Sequence, residues 1–249
     1  MNQNLNPPIP KPKMISLENL FKESWQNYKD NFKKIFSISL LMFLPNIILQ
    51  FLEIIKTKEI KSSWLILTQL ELTPWSISIF ILFIISILFS LWGSLSLAFL
   101  FKEKFQIKVK ESYKKTSELI LPYLLIVLMT YFLIFVGFLL FIIPGIYLTI
   151  TLGFVLFALV MENYQGLKAL VRSFNLVRGY FWPTFVRYLS LLFLFLLLFF
   201  PSVPLSFIPQ LGFYLQIIYN LFITILIVPF SLLFSYYIFN SLREIKANL

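Results

Sequence analysis

The stretch ENYQGLKALVRSFNLVRGYFWP, residues 162–183, lies between two almost uninterrupted apolar runs. Within it Leu167, Leu170, Val171, Phe174 and Val177 recur at helical spacing, while Lys168, Arg172 and Arg178 fall off that stripe. The pattern predicts a short amphipathic helix lying flat at a membrane surface. Gly179 supplies its stop, and Arg178 sits in its last turn, where a cation suits the helix dipole. Tyr180, Phe181 and Trp182 are the aromatics expected at headgroup depth, and Pro183 suits the opening turn of a helix entering lipid.

Composition agrees with a membrane setting. The chain has 249 residues, of which 59% are hydrophobic and 19% aromatic, with a mean hydropathy of +0.86. Soluble domains hold about 45–50% apolar residues, so this is no ordinary soluble globule. His and Cys are both absent. That excludes disulfides, thiol nucleophiles, imidazole bases and every metal site built on those ligands. Nucleotide-binding loops, HExxH and paired carboxylates at catalytic spacing are missing too, so no cofactor, no metal and no intrinsic catalysis are expected.

Outward from the central stretch, residues 1–15 read as a Pro-rich, disordered tail without the apolar core of a signal peptide. Ser16 is the expected cap of a helix whose face carries Leu17, Phe21, Trp25, Tyr28 and Phe32. Six apolar runs follow at 35–52, 76–100, 119–143, 146–161, 185–200 and 214–239, each near the length that crosses a bilayer core. The six runs contain no acidic residue. Pro144 and Gly145 mark a tight reversal between the third and fourth runs. KVKESYKK, residues 108–115, is a further candidate surface helix, and Ser90, Gly93, Ser94 and Ala98 form a small-residue seam for close helix packing. The expected architecture is therefore all-α: a single six-span polytopic membrane domain over 16–249, with two or three amphipathic helices on the cytoplasmic side.

Charge placement sets the orientation. Eighteen of the 21 basic residues fall in the amino end, the second and fourth connections and the carboxyl end, against three in the long connection after the first span. The positive-inside rule then puts both termini in the cytoplasm and the protein in the cytoplasmic membrane. The net charge of +10 gathers on that face and points to anionic membrane lipids as partners. The chain has no folded basic domain for nucleic acid. A protein partner or a second copy of the chain is compatible with the same surface.

Glu23-Ser24-Trp25, Glu111-Ser112-Tyr113 and Arg172-Ser173-Phe174 each place a charge, a serine and an aromatic in a short polar segment before a span. They suggest three units of surface helix plus helical hairpin.

IPGIYL at 143–148, then Glu162 and GLKALVRSFNLVRGYFWPTF at 166–185, resemble the membrane domain attached to some glycerophosphoryl diester phosphodiesterases and the related YciC-like multi-pass families of unknown function. YYIFNSLREIK at 236–246 is similar to the closing signature of the same families. The resemblance implies six helices in the cytoplasmic membrane and no reaction. The phosphodiesterase activity belongs to a separate soluble barrel that uses His and carboxylates, and this chain has neither the barrel nor any His.

The candidate contact residues are Glu162, Arg172, Ser173, Arg178, Gly179, Trp182 and Arg187. Glu162 closes a lipid-spanning run, so it reads first as the salt-bridge partner of Arg172 or Arg187 and second as a ligand for a cation or headgroup amine. Arg172, Arg178 and Arg187 read equally as phosphate ligands or topology anchors. The function expected from these residues is that of a non-catalytic membrane-organising or accessory protein. A transporter or channel for a neutral or amphipathic solute is the alternative, and an enzyme acting on lipid headgroups stands third.

Overall fold

A computed structural model describes residues 13–57, 74–205, 207–208 and 211–248. Most of the N-terminal tail and the connection 58–73, with Lys58, Lys61 and Trp64, lie outside the described residues. The fold is all-α, and six of its helical segments are long and apolar enough to cross a membrane. The chain is thus a multi-pass membrane protein by length and composition.

Helix α1 (Leu17–Asp30) starts where Ser16 Oγ accepts the Asn19 N–H at 3.2 Å, a cap that satisfies one of the free donors of the first turn. A single residue, Asn31, separates it from α2 (Phe32–Thr57). Helix α3 (Pro74–Lys102) packs along α2. Gly93 allows the approach, since a Cβ there would stand 2.5 Å from Met42 Cβ. Helix α4 (Val109–Thr116) runs through a 3-10 turn into α5 (Ile120–Leu140).

Here the structure corrects the sequence reading. The reversal after α5 falls at Phe141, whose backbone is extended (φ −165°, ψ 160°), and Pro144 and Gly145 lie inside the first turns of α6 (Ile142–Thr151). Proline is tolerated there because early helical N–H groups lack partners anyway. Gly145 is a packing position, with the Phe138 ring 2.4 Å from where its Cβ would be. The fourth crossing is also not one helix: it breaks at 152–154 and resumes as α7 (Val155–Glu162). Helix α8 (Leu167–Val177) follows, then α9 (Phe181–Phe199), the short α10 (Ser202–Leu205) and α11 (Gly212–Ala247). Helix α11 runs on through the expected basic tail, and Arg187 lies within α9 rather than in the connection before it.

Among the described residues, the connections that carry cations gather at one end of the bundle, bound there by basic side chains that donate to backbone carbonyls. Lys34 at the start of α2 reaches Phe105 O. Lys102 at the end of α3 reaches Val160 O at 2.7 Å, and Lys246 at the end of α11 reaches Arg178 O at 2.9 Å. Arg187 near the start of α9 reaches Ile15 O, and Ile15 N–H donates to Ser241 Oγ at 3.0 Å. These bonds place α1, α4 and α8 together with the near ends of the spans.

The three short helices share one packing rule. Each buries the serine of its charge–serine–aromatic triplet, with Ser24, Ser112 and Ser173 all 0% exposed. Helix α4 packs on α3, and Ser112 Oγ donates to Ser96 O at 2.7 Å. Helix α8 packs on α6 and α7, while α1 packs on α11. Each surface helix thus docks on the second arm of the preceding hairpin, and α1 closes the ring on the last.

Gly93→Ala is expected to lower stability by about 1–3 kcal/mol, the cost of forcing a methyl into a packed contact. Thermal unfolding of the detergent-purified protein measures it. Gly153→Ala, where the nearest atoms stand at 3.3–3.5 Å, is the milder control.

Candidate functional site at the basic end

Glu162 is the last residue of α7, and Asn163 beyond it takes the left-handed conformation (φ 59°), which turns the chain back toward α8. The turn brings Arg172 onto Glu162. Arg172 Nε donates to Oε2 at 2.6 Å and Nη2 to Oε1 at 2.7 Å. This is a fork-on-carboxylate pair, the strong geometry for such a contact. The carboxylate side chain is 14% exposed and the guanidinium side chain 27%. Bonding to Glu162 holds the Arg172 pKa above its ordinary value. Both carboxylate oxygens are engaged by the fork, the salt-bridge arrangement of the two that the sequence allowed.

Ser173, one residue on, faces the break in the fourth crossing. Its Oγ accepts the Phe154 N–H at 3.1 Å and donates to Thr151 O at 2.7 Å. A break in a helix frees backbone groups, and at Thr151 and Phe154, both 0% exposed, those groups need partners within the protein. One hydroxyl supplies both a donor and an acceptor, and Ser173 therefore staples α6 to α7.

This contact sets which face of α8 packs on the protein. Its buried face is Ala169, Leu170, Ser173, Leu176 and Val177, while Leu167 and Val171, assigned to the apolar stripe, are 66% and 58% exposed. The face that packs on the protein is thus turned by about 100°, one residue, from the apolar stripe. Apolar periodicity gave no weight to a serine, and a serine sits at the centre of the real interface.

The remaining sequence candidates separate. Arg178 is exposed and caps α8, lending its carbonyl to Lys246. Gly179 holds φ +87° in the turn to α9, a conformation that L side chains rarely adopt. Trp182 is 70% exposed. Arg187 is buried, with Nη1 donating to Pro183 O at 2.7 Å and Nη2 to Ile15 O. Its Nε is buried without a hydrogen-bond partner among the described residues. The structure therefore unites Glu162, Arg172 and Ser173 and places Arg187 apart, as a clamp on the segment leading into α1.

A groove that sequence reasoning missed lies beneath α1. It has a volume of about 1130 Å³ and is bounded by α1, α2, α9 and α11. Tyr28 helps to frame it by donating from its hydroxyl to Leu226 O at 2.9 Å. That carbonyl neighbours the Ile225 carbonyl, which loses its helical donor because Pro229 has no N–H. Burial pushes the Tyr28 phenol up to about 12. The phenol's contribution is therefore whole below its unfolded value of 10.0 and is lost as pH rises through about 12. The signal in the sequence was the row Phe21, Trp25, Tyr28 and Phe32, read as a face lying on the membrane rather than as the lip of a groove.

No family model, curated protein or solved structure matches this chain.

Ser173→Ala is expected to cost about 1–3 kcal/mol for each buried group left unpaired, read as a lower unfolding temperature in detergent. In a double-mutant cycle, Glu162→Gln and Arg172→Met should show a coupling of about 0.5–3 kcal/mol. A coupling of zero would mean that the fork contributes nothing in the membrane.

Proposed function

We propose that the protein is a non-catalytic membrane-organising or accessory protein of the cytoplasmic membrane, with both termini inside and its basic end against anionic phospholipid headgroups. One observation carries this reading. After four basic side chains are spent on backbone carbonyls and Arg172 on Glu162, the cations that remain exposed include Lys22, Lys29, Lys33, Lys108, Lys110, Lys114, Lys168 and Arg178. They lie on the segments that gather at one end of the bundle. Each basic group near an anionic surface contributes about 1 kcal/mol.

The broken fourth crossing favours a second reading, since interrupted helices are how many transporters build a binding site at the bilayer midplane. Against it, Ser173 already occupies the freed groups at this break. Flux of a neutral solute into proteoliposomes above that of empty vesicles would establish the second reading.

The first is tested by extracting the full chain with a polymer that retains the surrounding bilayer. Phosphatidylglycerol should be enriched in the retained lipid over the bulk membrane. Changing Lys108, Lys110, Lys168 and Arg178 to Glu should abolish the excess. A retained lipid of bulk composition around the wild-type chain defeats the proposal.

A further inference from the structure

We infer that the groove beneath α1 holds one anionic phospholipid, its phosphate at Lys22 and Lys29 and an acyl chain against Phe36, Leu198 and Phe222. The inference deepens the proposed lipid contact from a charged surface to a discrete site, and it rests on that reading for the placement of α1 at the membrane boundary.

The groove is built like the ligand. Of its 14 lining residues only two are charged, both are cations, and no carboxylate lines it. Lys22 and Lys29 stand seven residues apart, two turns along one face of α1, with Trp25 between them. The Lys29 ammonium lies 5.9 Å from the centre of the Trp25 ring. Among the described residues no carboxylate forms an ion pair with Lys22 or Lys29: Glu18 and Glu23 are exposed and outside the lining, and Asp30 accepts from Gln26 Nε2 at 3.0 Å.

Apart from the Tyr28 hydroxyl, which is bonded to Leu226 O, the rest of the lining is apolar. Helix α11 forms the floor from Phe230 down to Phe222, eight residues or about 12 Å of helix. Phe32 and Phe36 of α2 make one wall and Leu194 and Leu198 of α9 the other. Helix α1 runs antiparallel along α11, with Phe21 against Phe234, Trp25 against Phe230 and Tyr28 on Leu226 O, so charge stands along the α1 lip of the groove while the walls from α2, α9 and α11 are apolar. That asymmetry matches an amphiphile with an anionic head and a hydrocarbon tail. The volume of about 1130 Å³ lies just above the about 300–1,000 Å³ of ordinary small-ligand sites.

The test uses the full chain in nanodiscs of mixed phosphatidylglycerol and phosphatidylcholine, transferred to mild detergent and weighed by native mass spectrometry. One phosphatidylglycerol per chain should remain. Lys22→Gln with Lys29→Gln should weaken its retention about 30-fold, the factor two such cations supply. Leu198→Trp, which fills the deep end of the groove, should remove the retained lipid while the chain unfolds at the wild-type temperature. Lys108→Glu with Lys110→Glu should leave it in place, which separates the groove from general enrichment at the basic surface. Equal retention of phosphatidylcholine, undiminished retention in Leu198→Trp, or a dimer that fills the groove with a second copy would each overturn the inference.

Discussion

A backbone N–H or C=O stranded in hydrocarbon costs several kcal/mol, and much of this structure is arranged to leave few of them stranded. Long uninterrupted helices settle most of the debt internally. The interesting residues are those where a helix stops, breaks or carries proline. Ser173 satisfies both lips of the break at 152–154. Tyr28 reaches a carbonyl beside the one that Pro229 leaves without its donor. Lys34, Lys102, Arg187 and Lys246 each cover a carbonyl where a connection begins or ends. Polar side chains at the basic end are thus structural before they are anything else.

The same constraint accounts for the three serine triplets. A short helix at the membrane boundary must bury one face against a span, and a small hydroxyl lets it come close while retaining a hydrogen-bonding group. Ser112 uses that closeness to join the Ser96 backbone, and Ser173 to join the broken crossing. Ser24 is buried equally, yet its Oγ has no hydrogen-bond partner among the described residues. The shared feature is therefore the packing position, and the bond made there differs from unit to unit.

Much of this was legible in the chain. Six apolar runs announced the crossings, Ser16 announced the first cap, and Gly179 announced the end of α8, because length, capping chemistry and positive φ are local properties. The pairing of Glu162 with Arg172 was also within reach, since a charge leaving lipid needs a partner and Arg172 lay close. What apolar spacing missed was set by partners distant in sequence. The TLGF break at 151–154 shows no proline and no charge, and only Ser173 on another helix makes it tolerable. For the same reason the packing face of α8 lies one residue off the apolar stripe. The groove needed four helices to exist, so no single stretch could reveal it. Arg187 looked like a loop cation because its acceptor, Ile15, lies at the far end of the chain.

The closure of α1 on α11 bears on how the molecule is made. Helix α1 can seat only once α11 has been made, because its packing surface lies far downstream, with Tyr28 and Leu226 separated by 198 positions. Until then Leu20 and Tyr28, both buried in the finished ring, have only the membrane boundary to shelter them. Ser24 and the Ile15 amide wait with them for Ser241 and its neighbours. The ring therefore closes only when α11 reaches α1, after every span between them has been made.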